Sequence, residues 1–591
     1  MRRIIGMLAF LCLVAVSQSA QTAAYKNFRV AIYIPVGVTI RLADPAEFNR
    51  EFARVSSQLG FDKVYIEGYR GRTFATDAQL ATVKREFQSK GIETAGGVTF
   101  DAGSSGGQFN TLDYENPVDR ATAERASRLV ARHFDEMILD DFFFYNIKSD
   151  ADIAAKGSRS WTDYRIGKMH EAARDLVLGP AKQVNPRIKV VIKFPNWYEH
   201  FHGTGFDLGE EAHMFDGIYT GTETRDPVIT DQLLQQYESY EIIRYFDNVR
   251  PDGGNGGGWV DTYSIRSIDR YAEQLWDTEF AKAPQIVLFE WSAMASDKAA
   301  TAGERPWSDQ PTSFKWPVAG GNGWASAANE ALQIADGVLG QLGKPVGIAS
   351  YRPPHASGED FLHNYIGNLG VPIELYPAYP AGAHTILLTE SAASDPAIIA
   401  KIKRSLTSGA NVIVTSGFLD ATQGRGFRDL AEWQATGHVI GIDQYFVGFG
   451  AGNGTELKEP GKTQPILFPE VRFYTNDSWG IIRGVAAAKG FPIVMMNHYS
   501  KGTLYLWTIP ENFGDLYNLP QPMITRLKQF LFADAPVTID APDHVALFTY
   551  DNGAFVVENF RDDPASVGIL RRGQAAETVS ILAHSFRVFG H

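Results

Sequence analysis

Short apolar stretches alternate with amphipathic helical patterns through the first half of the chain. The alternation predicts that each strand is followed by a helix and that the strands run parallel. Eight strands over roughly 300 residues favour a (β/α)8 barrel, a fold that typically takes about 250 residues or more. The predicted strands are 28–36, 63–69, 92–100, 137–142, 188–194, 217–222, a weaker one near 257–262, and 285–291. The predicted helices include 45–59, 77–90, 118–134, 162–184, 265–282 and 326–342.

An open doubly wound sheet is the alternative reading of the same alternation. Such sheets often carry a glycine-rich phosphate loop after the first strand, and the chain has none there. The barrel is therefore the favoured fold.

A second alternating pattern starts near Lys344 and predicts a smaller, open α/β sheet. From residue 536 onward the pattern is β throughout, and Asp551-Asn552-Gly553 lies between two apolar runs, which is a strong hairpin signal. We expect a small β-sandwich there. The predicted organisation is a signal peptide at 1–24, a (β/α)8 barrel at 25–343, a smaller α/β domain at 344–535 and a small β domain at 536–591.

The N-terminus resembles an export signal. Arg2 and Arg3 precede an apolar run at 4–16, which is too short to span a bilayer, and small residues follow up to Ala24. A cleaved signal peptide is predicted, with a retained anchor as the alternative. The expected location is therefore the periplasm or the cell exterior.

Cys12 is the single cysteine of the chain, and it lies within the predicted signal. The mature chain is therefore expected to lack disulfides, thiolate metal sites and cysteine nucleophiles. The net charge of -13 argues against nucleic acid and anionic membrane surfaces as partners. No later stretch is long and apolar enough to suggest a membrane span.

Candidate chemistry follows the predicted strands. Functional side chains of a (β/α)8 barrel lie at the carboxyl ends of its strands. The fourth strand ends in two adjacent carboxylates followed by aromatic residues, and charged or aromatic residues follow most other strands. The candidates are Glu67 and Arg70 after strand 2, Asp140 and Asp141 after strand 4, Lys193, Asn196 and Trp197 after strand 5, Glu223 after strand 6, Trp259 and Asp261 in strand 7, and Glu290 and Trp291 after strand 8.

Two carboxyl groups flanking one small volume are what glycosidic bond cleavage requires. Strands 4 and 6 are separated by a single strand, so Glu223 and one of the two aspartates are predicted to confront each other as the catalytic pair. Side chains alternate along a strand, which predicts that only one aspartate faces the pocket, with a slight preference for Asp140. Lys193 on the intervening strand would keep that aspartate ionised.

The other candidates are predicted to bind substrate. Trp197, Trp259 and Trp291 offer aromatic faces for sugar rings, and the polar members offer hydrogen bonds. Glu290 is the rival second acid, and Glu67 is a third choice. The remaining candidates of this group are Arg70, Lys193, Asn196 and Asp261.

Structural roles compete with these assignments. Asp140 and Asp141 could cap a helix or form ion pairs, and Glu223 could pair with Arg225 or Arg70. His200 and His202 alternate as metal ligands sometimes do, but the first strand lacks the histidine pair of amidohydrolase barrels. No metal site and no cofactor are therefore predicted, and a metal-dependent hydrolase remains an alternative.

The three-part layout resembles the family 42 β-galactosidases, glycoside hydrolases with a barrel, an amidotransferase-like domain and a small β domain. The segment 410–417, Ala-Asn-Val-Ile-Val-Thr-Ser-Gly, follows a predicted helix, and 501–507, Lys-Gly-Thr-Leu-Tyr-Leu-Trp, comes later in the second part. The resemblance implies a glycosidase whose second domain, having no cysteine, serves assembly of copies or forms pocket walls.

The barrel departs from that family at strand 4, where Asp140-Asp141 stands in place of an Asn-Glu pair. An aspartate at strand 4 with an acid at strand 6 is more similar to α-galactosidase-type and α-galactosaminidase-type barrels. That similarity implies an aspartate nucleophile, Glu223 as acid/base and retention of configuration.

The expected function is cleavage of O-glycosidic bonds in an oligo- or polysaccharide by an exported hydrolase. A non-catalytic carbohydrate-binding protein on a barrel scaffold is the alternative. Both readings give a carbohydrate as the partner.

Overall fold

The computed structural model describes residues 24–103, 110–196, 202–229, 234–265, 268–296, 323–448 and 454–590. Residues 1–23 of the predicted signal peptide, Trp197 and His200 lie outside these ranges. Within them, none of the helices has the length and apolar character needed to cross a membrane.

Eight parallel strands form a closed barrel in the described residues. The first strand pairs with both the second and the last, which closes the sheet. The predicted (β/α)8 fold is confirmed. The strands are β1 Arg29–Ile34, β2 Lys63–Arg70, β3 Glu93–Val98, β4 Glu136–Leu139, β5 Lys189–Phe194, β6 Gly217–Gly221, β7 Asn255–Asp261 and β8 Gln285–Phe289. A two-residue strand, Thr73–Phe74, folds back onto the end of β2.

Helices surround the barrel, and their caps explain several boundaries. Asn116 caps one helix through the Val118 N–H, and Pro117 occupies its first turn, where a missing N–H costs nothing. The predicted helix 162–184 is two helices joined by a π-helical segment, Ala173–Leu178. The helices are α1 Val36–Leu42, α2 Pro45–Ser56, α3 Asp77–Ser89, α4 Pro117–His133, α5 Asp150–Lys156, α6 Trp161–Ala172, α7 Gly179–Val184, α8 Glu211–Met214, α9 Glu238–Val249, α10 Ile268–Phe280, α11 Trp291–Met294 and α12 Trp324–Leu339.

The barrel interior is packed with side chains contributed by most of the strands. Tyr33, Tyr65, Tyr219 and Trp259 are its largest members, and all four are buried. Gly257 in β7 has a φ of +144°, and a Cβ there would lie 1.8 Å from the Gln285 carbonyl oxygen. Glycine therefore lets β7 approach β8 closely enough to close the barrel.

The second α/β unit is built on a mixed nine-stranded sheet. Its first strands are parallel, as predicted, whereas the strands within 433–499 are antiparallel and were not predicted. The strands are β9 Pro345–Val346, β10 Ile348–Tyr351, β11 Ile373–Tyr376, β12 Thr385–Leu388, β13 Asn411–Thr415, β14 Trp433–Ile442, β15 Gln444–Val447, β16 Thr455–Leu457, β17 Ile466–Phe473, β18 Ser478–Ala486, β19 Lys489–Tyr499 and β20 Gly502–Trp507. The order in the nine-stranded sheet is β11-β10-β12-β13-β20-β19-β18-β15-β16, and β14 pairs with β17 separately. The helices are α13 Leu362–Gly367, α14 Ile398–Ser408, α15 Ser416–Thr422 and α16 Gln521–Leu531.

The C-terminal residues form two small antiparallel sheets with an apolar cluster between them, as expected for a sandwich. The short strand β9, which follows the barrel directly in the chain, pairs with the strand Val545–Tyr550 of one of these sheets. The Tyr550 hydroxyl donates to the Phe280 carbonyl oxygen at 2.9 Å, which anchors the sheet to α10. The strands are β21 Val537–Asp540, β22 Val545–Tyr550, β23 Phe555–Asn559, β24 Ala565–Arg571, β25 Glu577–Ile581 and β26 Ser585–Phe589.

Candidate active site

A cavity of about 360 Å³ opens at the carboxyl ends of the barrel strands. Most of the described candidate residues meet there. The predicted residues that line it are Arg70, Asp140, Asp141, Lys193, Asn196, Glu223, Trp259 and Asp261. The structure adds Phe142, Phe144, Arg225, Tyr263 and Phe289.

Asp140 and Asp141 both reach this cavity. β4 ends at Leu139, and the two aspartates lie in the turn that follows, where the Asp141 N–H donates to Asp140 Oδ1 at 2.9 Å. The prediction that only one aspartate would face the pocket is wrong, because strand alternation no longer applies beyond Leu139.

Asp140 is held in place by cations. Arg70 donates to its Oδ2 at 2.6 Å, and the Lys193 ammonium lies 3.7 Å from its Oδ1. Burial alone would raise the pKa of Asp140, but Arg70 and Lys193 outweigh burial and lower that pKa. Asp140 is therefore a fixed anion with little exposed surface.

Lys193 joins the other two acids. Its ammonium nitrogen lies 2.7 Å from Asp141 Oδ2 and 2.8 Å from Glu223 Oε1. Since both oxygens contact the same nitrogen, they are at most 5.5 Å apart. Asp141 and Glu223 thus confront each other across one small volume.

Charge is unevenly balanced within this pair. Arg70 is bound to Asp140 and Glu67, and Arg225 is bound to Asp261, which leaves Asp141 and Glu223 to share the single charge of Lys193. Two carboxylates on one cation favour a proton on one of them.

Burial and neighbouring acids shift the pKa values of the pair in the same direction. Burial raises the pKa of Asp141 to about 6, and Asp140 and Glu223 add to this while Lys193 opposes it. Burial likewise raises the pKa of Glu223. Lys193 lowers this pKa in part, and the nearby Asp261 raises it further. Glu223 Oε2 is buried and has no hydrogen-bond partner among the described residues. One proton is therefore retained on the pair at a pH where exposed carboxyls are ionised.

Arg225 forms a two-point contact with Asp261, through Nε at 3.2 Å and through a terminal nitrogen at 2.7 Å. The alternative expectation that Glu223 would pair with Arg225 or Arg70 is therefore wrong. Arg70 pairs with Asp140 and Arg225 pairs with Asp261, and the ion pair of Glu223 is with Lys193.

Glu67 and Glu290 are not among the residues that line the pocket. Glu67 is fully buried, and it accepts hydrogen bonds from the Val36 N–H at 2.6 Å and from Arg70 Nε at 3.0 Å, so it positions Arg70. Glu290 caps α11 by accepting the Ser292 N–H at 3.0 Å. Direct substrate binding by either acid has no support in this arrangement.

Trp291 is a core residue. Its ring is fully buried, packs edge-on against Phe61 and Phe87, and donates its indole N–H to Glu51 at 2.9 Å. The prediction that it stacks on sugar is wrong, because the chain turns into α11 directly after β8 and directs the ring away from the pocket.

Replacing Trp291 with phenylalanine should test this core role. The variant loses the indole hydrogen bond and part of the buried ring, so the free energy of unfolding should fall by about 1–3 kcal/mol. Urea denaturation measures the loss. KM should be unchanged, and a rise in KM without loss of stability would contradict the core assignment.

Trp259 lies at the floor of the pocket. It is 1% exposed and packs in the barrel interior, and the Lys193 ammonium lies 4.5 Å from the centre of its ring. Its face is therefore occupied by the cation, and a stacked sugar has no access to it. Trp259 instead fixes the position of Lys193.

Phe289 and Tyr263 provide the open aromatic surface that the tryptophans do not. The Tyr263 side chain is exposed, and the centres of the Tyr263 and Phe289 rings are 6.1 Å apart. Phe142 and Phe289 both lie near Arg70, whose guanidinium carbon is 5.8 Å from the Phe142 ring and 5.6 Å from the Phe289 ring. Tyr263 follows the candidate Asp261 by two residues, so its position after strand 7 could have indicated from the sequence that it lines the pocket.

Comparison with known proteins agrees with a barrel-type glycosidase. The family model described as "Probable glycosyl hydrolase, catalytic domain" matches residues 17–341. Further models match residues 343–512, as the second domain of uncharacterized protein SSO3021, and residues 536–584, as a C-terminal domain of a probable glycosyl hydrolase. The first match covers more than half of the chain, so the protein belongs to this family of probable glycosyl hydrolases.

Individual relatives are distant. Uncharacterized protein SSO3021 of Saccharolobus solfataricus is 28% identical over 298 residues, and the match covers 45% of this chain and about half, 49%, of that protein. The GH42 β-galactosidase Gan42B from G. stearothermophilus is 11% identical with a TM-score of 0.61, covering 95% of this chain and 98% of that one. An α-L-fucosidase from Paenibacillus thiaminolyticus is 8% identical with a TM-score of 0.58, covering 92% and 93%. The predicted family 42-like layout and the prediction of a glycosidase are confirmed.

Proposed function

We propose that the protein is a retaining glycosidase in which Asp141 is the nucleophile and Glu223 the acid/base. The observation that carries the proposal is the position of Lys193 between these two carboxylates, which limits their separation to 5.5 Å. Retaining enzymes have carboxyl groups about 5–5.5 Å apart, whereas inverting enzymes need about 6.5–9.5 Å.

The reaction would run in two displacements. Asp141 attacks the anomeric carbon while Glu223 donates its proton to the departing glycosidic oxygen, so the C–O bond breaks as the glycosyl ester forms. Glu223, now a carboxylate, takes a proton from water, and the hydroxide oxygen displaces Asp141 from the sugar. The proton returns to Glu223, and configuration at the anomeric carbon is retained.

Asp141 suits the nucleophile role better than Asp140, although the sequence slightly favoured Asp140. The Asp141 side chain is 19% exposed, against 4% for Asp140. Both oxygens of Asp140 are engaged, one by Arg70 and the other by the Asp141 N–H. Asp140 is therefore proposed to hold Arg70 and the turn in place.

A panel of α- and β-linked aryl glycosides and oligosaccharides tests the activity itself. The named specificities of the structural neighbours make β-galactosides and α-L-fucosides the first members of the panel. Release of the same anomer as the substrate, followed by NMR, is the expected result. Release of the opposite anomer would contradict retention, and binding without turnover of any member would favour a carbohydrate-binding protein.

The pH dependence should follow the shared proton. Asp141 must be ionised to attack, so kcat/KM should fall as the pH drops through about 6, the raised pKa of Asp141. Lys193 lowers the pKa of both acids. Replacing Lys193 with methionine should therefore move the acidic limb upward by about one pH unit or more.

Lys63→Met is a matched control for this pH experiment. Lys63 is also a buried strand lysine, 2.7 Å from Glu136, but it lies at the amino end of β2, away from the pocket. Its pH profile should match that of the wild type. An equal shift in both variants would show that the effect reports general stability rather than the catalytic pair.

We also propose that the chain is exported and that its substrate is an extracellular or periplasmic oligo- or polysaccharide. The basic start and the short apolar run of the N-terminus support this proposal. Cell fractionation with an antibody against the folded barrel tests it, and retention in the cytoplasm would contradict it.

A further inference from the structure

Four metal-ligating side chains from separate parts of the chain converge beside the barrel. His170 lies near the end of α6, and Asp207 and Glu210 lie in the connection between β5 and α8. His355 comes from the loop after β10 in the second unit. None of the four lines the pocket described above.

Their distances are those of a compact donor set. His170 Nε2 lies 3.0 Å from Asp207 Oδ2, and His355 Nε2 lies 2.8 Å from Asp207 Oδ1. One donor atom from each of His170, Asp207 and Glu210 lies within 4.8 Å of the other two. Ligands around a tetrahedral Zn²⁺ are about 3.3 Å apart, given zinc-to-ligand distances of about 2.0–2.2 Å. The donor separations, which reach up to 4.8 Å, would therefore have to close by up to about 1.5 Å to admit the ion.

The carboxylate at the centre of the cluster is oriented by the backbone. Asp207 Oδ1 accepts the Gly209 N–H at 2.8 Å and the Glu210 N–H at 3.1 Å. Such outer hydrogen bonds are typical of metal-binding carboxylates.

The two histidines differ in their contacts. His170 Nε2 faces Asp207 Oδ2 at 3.0 Å without the geometry of a hydrogen bond, whereas His355 Nδ1 is buried and makes no hydrogen bond to the described residues. His355 also has a φ of +62°, a left-handed conformation that residues other than glycine seldom adopt. The His202 ring lies beside it, with ring centres 5.8 Å apart.

The geometry points to a Zn²⁺ site formed by His170, Asp207 and Glu210, whose Asp207 ligand is held in place by His355 from the second α/β unit. One imidazole and two carboxylates, completed by water, suit zinc better than calcium or magnesium, which prefer oxygen donors throughout. The same connection begins with Asn196, which lines the pocket. The ion would therefore steady one pocket wall without taking part in the bond cleavage.

Metal binding to the full-length chain tests the inference directly. After chelator treatment and its removal, isothermal titration with Zn²⁺ should give one site per chain, and mass spectrometry of the metal content should agree. Zn²⁺ should raise the thermal midpoint, whereas Ca²⁺ should bind at least about tenfold more weakly. No Zn²⁺ binding, or tighter binding of Ca²⁺, would overturn the assignment.

Variants locate the site. Glu210 is 80% exposed, so Glu210→Gln should fold normally and bind Zn²⁺ about ten- to a hundredfold more weakly, while His170→Ala should lose the site. His384→Ala is the matched control. His384 forms an exposed pair with Asp534 at 3.0 Å, and it belongs to no group of three or more possible metal ligands among the described residues. Zn²⁺ binding that survives both His170→Ala and Glu210→Gln, or that is lost in His384→Ala, would overturn the proposal.

Discussion

Replacing Glu223 with glutamine should lower kcat/KM for glycosides with poor leaving groups by about 10²–10⁴-fold. Glutamine keeps the shape of the side chain but cannot donate the proton that the departing oxygen needs. Glycosides with a strongly acidic phenol as leaving group need little protonation, so their first step should be nearly unaffected. Steady-state kinetics over a series of aryl leaving groups measures the difference as a steeper dependence on the phenol pKa.

Glu290→Gln is the control for this experiment. Glu290 is the rival acid suggested by the sequence, but it caps α11 instead of lining the pocket. Its kcat/KM should remain within about threefold of the wild type, with a loss of stability of about 1 kcal/mol from the weakened cap. A large loss of activity in Glu290→Gln together with a small one in Glu223→Gln would reverse the assignment.

The proximity of Asp141 and Glu223 could be predicted from the sequence because it depends only on the barrel fold and the order of its strands. The strand pattern places residues after strands 4, 5 and 6 on neighbouring positions of one barrel rim, whatever the details of packing. Once the barrel fold was correctly predicted, it followed that three residues lie close together: Asp141, Lys193 and Glu223. The lysine between the acids follows from the strand order in the same way.

Orientation and burial of individual rings could not be predicted in this way. Trp259 and Trp291 come from strand-end segments just as the acids do, yet one faces the barrel interior and the other packs under a helix. Which side of the chain a ring occupies depends on where the strand ends to within one residue. β4 illustrates the same limit, since its end at Leu139 brings both aspartates to the pocket.

Ion pairs between side chains that are distant in the sequence could not be predicted either. The sequence offers several partners to each arginine, and only the packed structure assigns Arg70 to Asp140 and Arg225 to Asp261. His170 and His355 are 185 positions apart, and both contact Asp207 in the packed structure. His202, noted as a metal-ligand type in the sequence, lies beside this second cluster rather than in the active site.

Removing the Asp141 side chain should have the largest effect of all. Asp141→Ala should lower turnover on the order of 10⁴-fold or more, because no covalent intermediate can form without the nucleophile. Added azide should restore part of the rate by entering the vacated space, and the product should be a glycosyl azide of inverted configuration. NMR of that product identifies the face from which the azide attacks.

Asp140→Ala separates the two neighbouring aspartates. It frees Arg70 and disturbs the turn, so activity should fall, but azide should not restore it because the buried site gives no access to the anomeric carbon. Rescue in Asp140→Ala with none in Asp141→Ala would transfer the nucleophile role to Asp140. Glu223→Ala completes the set, since azide rescue there should give a product of retained configuration. Opposite product configurations from Asp141→Ala and Glu223→Ala distinguish a nucleophile facing an acid/base from two acids that only shape the pocket.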